Sequence, residues 1–229
     1  MSLAQSNKAV GIIGVGVMGE ALLSGLISAG IPIAQITFYE KRDDRASEIT
    51  SKYGVKKASL NDLCQKSDVI LLVTKPQDLG SLLDECGPLF KEGVLLISFA
   101  AGKTISFIAE KAIGAKVIRV MPNTPMLLGK GMSAISLGKG VDADSQNFIL
   151  EFLNSTGKAI VVEESLQDAV TATSGSGPAY FFAFVEEMIR GSVALGLSES
   201  DATTLTIQTI VGAAEMLQSS GKSPTTLRE

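Results

Sequence analysis

The 229-residue sequence contains no histidine. This absence removes the Ser-His-Asp and Cys-His nucleophile systems, which need an imidazole as a general base, and it removes the H-E-x-x-H type of zinc site. We therefore predict no metal site, and any chemistry must rely on binding and orientation more than on a strong general base.

The sequence also has few cysteines, no long apolar run and little net charge. The two cysteines, Cys64 and Cys86, lack the C-x-x-C spacing and fall in predicted helices, which indicates reduced, buried thiols in a cytoplasmic protein. The longest apolar runs, residues 69–73 and 180–185, are far shorter than the ~20 residues that span a bilayer. We expect no signal peptide and no membrane partner.

The net charge is −4, from 20 basic and 24 acidic side chains, and no basic patch stands out. Nucleic acid is therefore an unexpected partner. The length suits one domain of ~150 residues plus a smaller one. Because the composition shifts after Glu164, we predict a first domain at residues 1–164 and an all-helical second domain at residues 165–229.

Apolar runs alternate with helical patterns through most of the first domain. We predict strands at residues 9–13, 35–39, 55–58, 69–73, 94–99 and 116–120, with helices between them. This alternation is typical of an α/β doubly wound parallel sheet. Two further strands, at residues 132–137 and 159–162, are expected to extend the same sheet, and Pro76 suits the first position of a helix.

A glycine-rich turn joins the first predicted strand to the first predicted helix. Gly14 permits the tight turn, Gly16 lets the backbone approach a pyrophosphate, and Gly19 lets the helix pack closely on the strand. The helix N-terminus presents free N–H groups to the phosphates. Dinucleotide binding is the favoured interpretation, and a plain tight strand–helix turn is the alternative.

Ligands of doubly wound sheets bind beyond the carboxyl ends of the strands. The loops that follow the predicted strands should therefore line one crevice; they are residues 14–19, residue 40, residues 74–77, residues 100–103 and residues 121–125. Within the third loop Lys75 is a possible base, but as a lone lysine before a proline it better suits a cofactor-binding backbone.

The charged residues at the end of the second predicted strand favour two different cofactors. Glu40 suits the ribose hydroxyls of NAD and repels a 2′-phosphate, whereas Lys41 and Arg42 attract that phosphate. We expect mixed use of NADH and NADPH. A solvated run of charges at a strand end is the alternative.

Small residues crowd the segment from Ala172 to Pro178, which includes three hydroxyl side chains. The segment is either a plain helix–helix turn or a cradle for a carboxylate. Residues 119–125 leave a strand with two prolines, which favours a ligand contact over a structural turn. Residues 180–185 are apolar nearly all round, so a partner subunit is the expected cover.

Several of these motifs together resemble pyrroline-5-carboxylate reductase. The resemblance rests on Gly14-x-Gly16-x-Met18-Gly19-x-Ala21, Lys75-Pro76-Gln77, Ser98-x-Ala100-Ala101-Gly102, Arg119-Val120-Met121-Pro122-Asn123-Thr124-Pro125 and Ser174-Gly175-Ser176-Gly177-Pro178-Ala179-Tyr180. The matches run in order from residue 11 to the end.

The resemblance implies a Rossmann domain plus a helical C-terminal domain that forms a homodimer or a higher homo-oligomer. It implies reduction of 1-pyrroline-5-carboxylate to L-proline by NADPH or NADH, the last step of proline biosynthesis. The cofactor-binding residues so implied, together with the charges after the second strand, are Gly14, Val15, Gly16, Val17, Met18, Gly19, Glu40, Lys41, Arg42, Val73, Thr74, Lys75, Pro76, Ala100, Asn123 and Thr124. The substrate-binding residues so implied are Thr173, Ser174, Gly175, Ser176 and Gly177.

No single catalytic residue is assigned, because a protonated cyclic imine accepts hydride without a strong base. One alternative is another small imine or keto-acid reductase of similar architecture. Such enzymes usually place a lysine or histidine in the second domain, where this chain has only Lys222. The other alternative is a non-catalytic dinucleotide-binding module that senses redox state through subunit association.

Two features depart from the family pattern. Many members carry a small or polar residue plus an arginine where this chain has Glu40-Lys41. The family also continues past Leu227-Arg228 into a Thr-Ser-Pro-Gly-Gly-Thr-Thr segment, whereas this sequence stops at Glu229. A protein ending there is expected to bind dinucleotide nearly normally and to reduce the imine poorly.

Overall fold

A computed structural model describes residue 3 and residues 6–229, and within them eight strands form one sheet. The strand order is β3-β2-β1-β4-β5-β6-β7-β8. The strands are β1 Val10–Ile13, β2 Ile36–Tyr39, β3 Lys56–Lys57, β4 Val69–Leu72, β5 Leu95–Ser98, β6 Lys116–Met121, β7 Gly131–Leu137 and β8 Gly157–Val161. Strands β1 to β6 are parallel, and β1, β4 and β5 are buried at every residue, as expected for strands covered on both faces.

The last two strands extend the same sheet, as predicted, but in the opposite direction. β7 pairs with β6 antiparallel and β8 pairs with β7 parallel, so the sheet is mixed. The reason lies in the connection between Met121 and Gly131, which contains only a 3₁₀ turn at Thr124–Leu128. A parallel return needs a crossover of a dozen or more residues.

Helices cover both faces of the sheet. They are α1 Val17–Ser28, α2 Asp43–Tyr53, α3 Leu60–Lys66, α4 Leu79–Cys86, α5 Ile105–Lys111, α6 Ala143–Ser155 and α7 Gln167–Val170. One core lies between the sheet and α1, α2 and α6, and the other lies between the sheet and α3, α4 and α5.

The fourth helix begins later than predicted. Pro76 is not its first residue, because residues 75–78 form a turn in which Asp78 N–H donates to Lys75 C=O at 3.0 Å. The helix then starts at Leu79 with Asp78 in the preceding position.

The contacts divide the chain into two compact units, Met1–Ser176 and Gly177–Glu229. A one-turn π-helix at Thr171–Gly175 ends the first unit. Gln167 is fully buried there and donates to Ser136 Oγ at 2.9 Å, which ties its segment to β7. The boundary at residue 164 stays a prediction from composition, and these contacts place residues 164–176 in the first unit.

The second unit consists of helices α8 Gly177–Ala194, α9 Glu199–Ser219 and α10 Pro224–Arg228. Within this unit α8 packs against α9, and both helices expose large apolar side chains. None of the helices in the described residues has the length and apolar character needed to cross a membrane.

Candidate active site

The glycine-rich turn connects β1 to α1, and each of its glycines meets a different environment. Gly14 has φ +92°, and a Cβ there would lie 2.5 Å from the Val73 carbonyl oxygen. A Cβ on Gly19 would lie only 2.0 Å from the Gly14 carbonyl oxygen, so close packing of α1 on the turn requires glycine. A Cβ on Gly16 would meet no atom within 4 Å. The backbone at Gly16 is therefore open to a ligand.

The N-terminus of α1 lies directly behind this open position. Gly16 occupies the cap position, and no side chain caps the helix. The first N–H groups of an α-helix have no partner within the helix, and they carry a partial positive charge. This combination can bind an anionic pyrophosphate.

Two neighbouring cavities lie at the carboxyl edge of the sheet and share Gly16, Val73, Thr74 and Lys75. The larger, about 510 Å³, is also lined by Gly14, Glu40, Lys41 and Arg42. The smaller, about 320 Å³, is also lined by Val17, Met18, Gly19, Phe99, Met121 and Pro122. Five strand-end loops thus meet in this double cleft.

Some predicted cofactor residues lie outside the lining of either cavity. Ala100 is buried and donates its N–H to Ser98 Oγ at 3.3 Å, and it is the preceding residue, Phe99, that lines the smaller cavity. Val15 is buried beneath the turn. Pro76, Asn123 and Thr124 also lie outside the two linings.

Glu40 holds its carboxylate against the glycine-rich turn. Its Oε2 accepts from Val15 N–H at 3.2 Å, and its Oε1 accepts from Arg42 N–H at 3.1 Å. The side chain of Arg42 is mostly exposed and lies 3.9 Å from the carboxylate of Asp44. A hydrogen-bonded anion and exposed cations therefore meet in the lining of the larger cavity.

Thr74 presents a hydroxyl with unused hydrogen-bonding capacity. Its Oγ1 is buried and has no partner in the described part of the chain, although the residue lines both cavities. Lys75 is exposed. A ligand in the double cleft can supply the missing partner of Thr74.

The segment predicted to border the substrate is a π-helix, a rare form that is frequently found at functional sites. Its hydroxyl and amide groups are partly used, since Ser174 Oγ donates to Val170 C=O at 3.3 Å and Ser176 N–H donates to Thr171 C=O at 2.8 Å. Thr173 is exposed. Fewer donors remain for a carboxylate than the sequence indicates.

Asn123 and Met121 hold this segment against the end of β6. Asn123 Nδ2 donates to Ser174 C=O at 3.1 Å, and its Oδ1 accepts from Met132 N–H at 2.8 Å. A Cβ on Gly175 would lie 2.5 Å from Met121 Cε, the flexible end of that side chain, so a larger residue there would require Met121 to shift. The structure thus joins the Met-Pro-Asn-Thr-Pro motif to the Ser-Gly-Ser-Gly motif.

Sequence reasoning did not assign roles to two arginines. Arg119 on β6 is buried and pairs with Glu164 at 3.3 Å and Asp168 at 3.8 Å. Arg45 on α2 donates from Nε to Val15 C=O at 2.8 Å. The partners of Arg119 lie in a segment whose path through the fold the sequence does not predict. The partner of Arg45 is the backbone carbonyl of Val15, and a backbone contact leaves no recognisable pattern in the sequence.

The two cysteines line neither cavity of the double cleft. Cys64 and Cys86 are both buried free thiols, and their mutual hydrogen bond together with burial raises the pKa of the Cys86 thiol. Residue 3 and residues 6–229 hold no cluster of three side chains able to bind a metal ion.

The sheet and the glycine-rich turn define the Rossmann class of dinucleotide-binding folds. A family model described as pyrroline-5-carboxylate reductase dimerisation matches residues 164–229, and one described as NADP oxidoreductase, coenzyme F420-dependent, matches residues 9–102. A pyrroline-5-carboxylate reductase of Corynebacterium melassecola is 39% identical over 224 residues, covering 96% of this chain and 83% of that protein. The chain belongs to the pyrroline-5-carboxylate reductase family.

Solved structures give the same result. A pyrroline-5-carboxylate reductase from Coxiella burnetii superposes with a TM-score of 0.90 at 30% identity, covering 97% of this chain and 84% of that chain. The Plasmodium falciparum pyrroline carboxylate reductase with NADP bound superposes with a TM-score of 0.86 at 31% identity, covering 96% and 82%. Both support the predicted fold class.

Proposed function

We propose that this chain reduces 1-pyrroline-5-carboxylate to L-proline with hydride from NADPH or NADH, as its relatives' names indicate for them. The observation that carries the proposal is the open backbone at Gly16, beside an uncapped helix N-terminus and a cleft at the sheet edge. A dinucleotide fits this arrangement because its pyrophosphate needs close backbone approach and unpaired N–H groups.

Each part of the cleft has a separate task in this proposal. The turn at Gly14, Gly16 and Gly19 binds the pyrophosphate, and Glu40 accepts hydrogen bonds from ribose hydroxyls. The smaller cavity, with Met18 and Met121 in its lining, holds the nicotinamide end. When bound, the reduced nicotinamide supplies the hydride. Thr173 and the rest of the π-helical segment border the substrate.

No residue of the chain needs to act as a strong base. A protonated cyclic imine is already electrophilic, so the protein's task is to hold the imine carbon close to the hydride donor. Asn123 assists by fixing the π-helical segment at the end of β6, which faces the nicotinamide cavity through Met121. We therefore assign Asn123 to positioning.

The dimerisation model over residues 164–229 supports a homo-oligomer, and we propose a homodimer or a larger assembly of dimers. The two free, buried thiols support a cytoplasmic location.

A cofactor-oxidation assay tests the proposed reaction. We expect the purified protein to oxidise NADPH or NADH only after 1-pyrroline-5-carboxylate is added, with one proline formed per cofactor oxidised. Saturable cofactor binding without turnover would favour the redox-sensing module instead. Faster turnover of another cyclic imine or a keto acid would favour a different reductase.

The charge of Glu40 is expected to set cofactor preference. Glu40→Gln keeps an oxygen that can accept from Val15 N–H but removes the charge that opposes a 2′-phosphate. The ratio of kcat/KM for NADPH to that for NADH should rise a few-fold to about tenfold, or roughly 1 kcal/mol, a modest effect for a partly exposed charge. Glu110→Gln makes the same change at an exposed site on α5 and should leave the ratio unaltered. Equal ratios in both variants would exclude Glu40 as a ribose contact.

A further inference from the structure

The peptide groups on both sides of Val15 are fixed by side chains from a different part of the first unit. Val15 N–H donates to Glu40 Oε2 at 3.2 Å, and Val15 C=O accepts from Arg45 Nε at 2.8 Å. Val15 itself is fully buried beneath the turn. The turn therefore has an anionic contact on one side of this residue and a cationic contact on the other.

Arg45 is held rigidly by its other contacts. Its Nη1 donates to Glu48 at 2.7 Å, its Nη2 contacts Glu20, and only 12% of its side chain is exposed. Glu20 also accepts from Lys52 Nζ at 2.8 Å and Tyr53 Oη at 2.9 Å. These bonds, with that of Lys52 foremost, hold the pKa of Glu20 at about 2. Glu20 is therefore an anion throughout the neutral range.

The charge of Arg45 is consequently matched by two carboxylates within α1 and α2. The fork of the guanidinium is occupied by Glu20 and Glu48, which leaves Nε directed at the Val15 carbonyl. Arg45 is also absent from the linings of both cavities. It is thus placed to act on the turn and not on a ligand phosphate.

The contact between Arg45 and the Val15 carbonyl also affects the orientation of the next residue, Gly16. In a trans peptide the C=O of Val15 and the N–H of Gly16 point in opposite directions. Because Arg45 holds the Val15 oxygen on its own side, the Gly16 N–H is directed away from Arg45. Gly16 lines both cavities, as do Val73, Thr74 and Lys75.

We propose that Arg45 is a positioning residue for cofactor binding, which fixes the Val15–Gly16 peptide so that the Gly16 N–H is preset toward the pyrophosphate. The proposal rests on dinucleotide binding at the glycine-rich turn. Without Arg45, the peptide can rotate, and part of the binding free energy is then used to restore its orientation.

The test compares two variants that each remove one positive charge and one bond to Glu20. Arg45→Met also loses the contacts to Val15 and Glu48, whereas Lys52→Met leaves both intact; the side chain of Lys52 is 58% exposed. We expect Arg45→Met to raise the Kd of both NADH and NADPH about tenfold and equally, since both share the pyrophosphate. Lys52→Met should stay within about twofold of the unmutated protein. At saturating cofactor, kcat should change by less than about twofold in either variant.

Arg45→Gln separates the hydrogen bond from general stability, because its amide can donate to the Val15 carbonyl without a charge. It should bind cofactor more tightly than Arg45→Met at the same thermal midpoint, and it provides the comparison with Lys52→Met if Arg45→Met does not fold. Equal Kd values for Arg45→Met and Lys52→Met, or no recovery in Arg45→Gln, would overturn the positioning role. Failure of the unmutated protein to bind either cofactor would instead overturn the proposed function.

Discussion

Replacement of Gly16 by alanine should remove most dinucleotide binding while leaving the folded protein almost unchanged. The added methyl group meets no protein atom within 4 Å, and the residue has φ −64°, so neither a clash nor backbone strain arises without a ligand. With the pyrophosphate in place, the methyl group occupies space that the phosphate needs. Overpacking costs about 1–3 kcal/mol, which corresponds to a rise in Kd of roughly 5- to 150-fold.

The matched control is Gly19→Ala in the same turn. Its methyl group would lie 2.0 Å from the Gly14 carbonyl oxygen, which is backbone and cannot move aside easily. We expect a loss of about 3 kcal/mol or more in the free energy of unfolding. For Gly16→Ala the loss should be below about 1 kcal/mol, the size of a cap-residue effect. Urea denaturation and cofactor titration of both variants measure the contrast. Normal binding by Gly16→Ala would show that no phosphate lies against Gly16.

The parallel part of the sheet follows from sequence because its signals are local. A strand buried on both faces needs a continuous apolar run, and the residue 69–73 run predicts β4 Val69–Leu72 to within one residue. The direction of β7 cannot be predicted from such a run, because apolar periodicity is the same for parallel and antiparallel strands. Only the short link between Met121 and Gly131 carries that information.

The candidate site is predictable to the extent that it depends on strand ends. The rule that ligands bind beyond the carboxyl ends of strands brings Gly16, Glu40, Thr74 and Met121 to the same double cleft. It does not say which residue of a loop faces the cavity, and at the fifth strand Phe99 does so while Ala100 is buried. Which residue of a loop faces the cavity depends on its packing, and no local sequence pattern predicts that packing.

Contacts between distant residues are the part that sequence reasoning could not provide. Arg45 and Val15 meet because α2 returns past the first turn, and Asn123 reaches Ser174 because the π-helix ends beside β6. Each bond uses a backbone carbonyl as the acceptor, so no complementary side chain reveals it. The hydroxyls of residues 171–176 show the same limit, since their sequence predicts available donors while the fold uses two of them, those of Thr171 and Ser174, within the helix.

Substitution of Phe184 by aspartate should break the assembly of the protein. Helix α8 carries Tyr180, Phe181, Phe182 and Phe184, each with 58–68% of its surface exposed in the single chain. Helix α9 adds Leu205, Val211 and Met216, each more than half exposed. A soluble protein rarely leaves so many large apolar side chains uncovered, and these lie within the residues matched by the dimerisation model. A second copy of the chain is therefore the expected cover.

An aspartate at position 184 would place an unpaired charge in that buried interface. Loss of the aromatic contact together with the cost of burying the charge should weaken association by at least about 100-fold. Light scattering should then give a mass near the 23.9 kDa of one chain, or aggregates, in place of the larger assembly. Ile113→Asp is the matched control, because Ile113 is 87% exposed in the first unit and lies outside residues 164–229; its assembly should be unaltered. A stable monomer formed by the unmutated protein at low micromolar concentration would contradict the interface, and the apolar faces of α8 and α9 would then need a different partner.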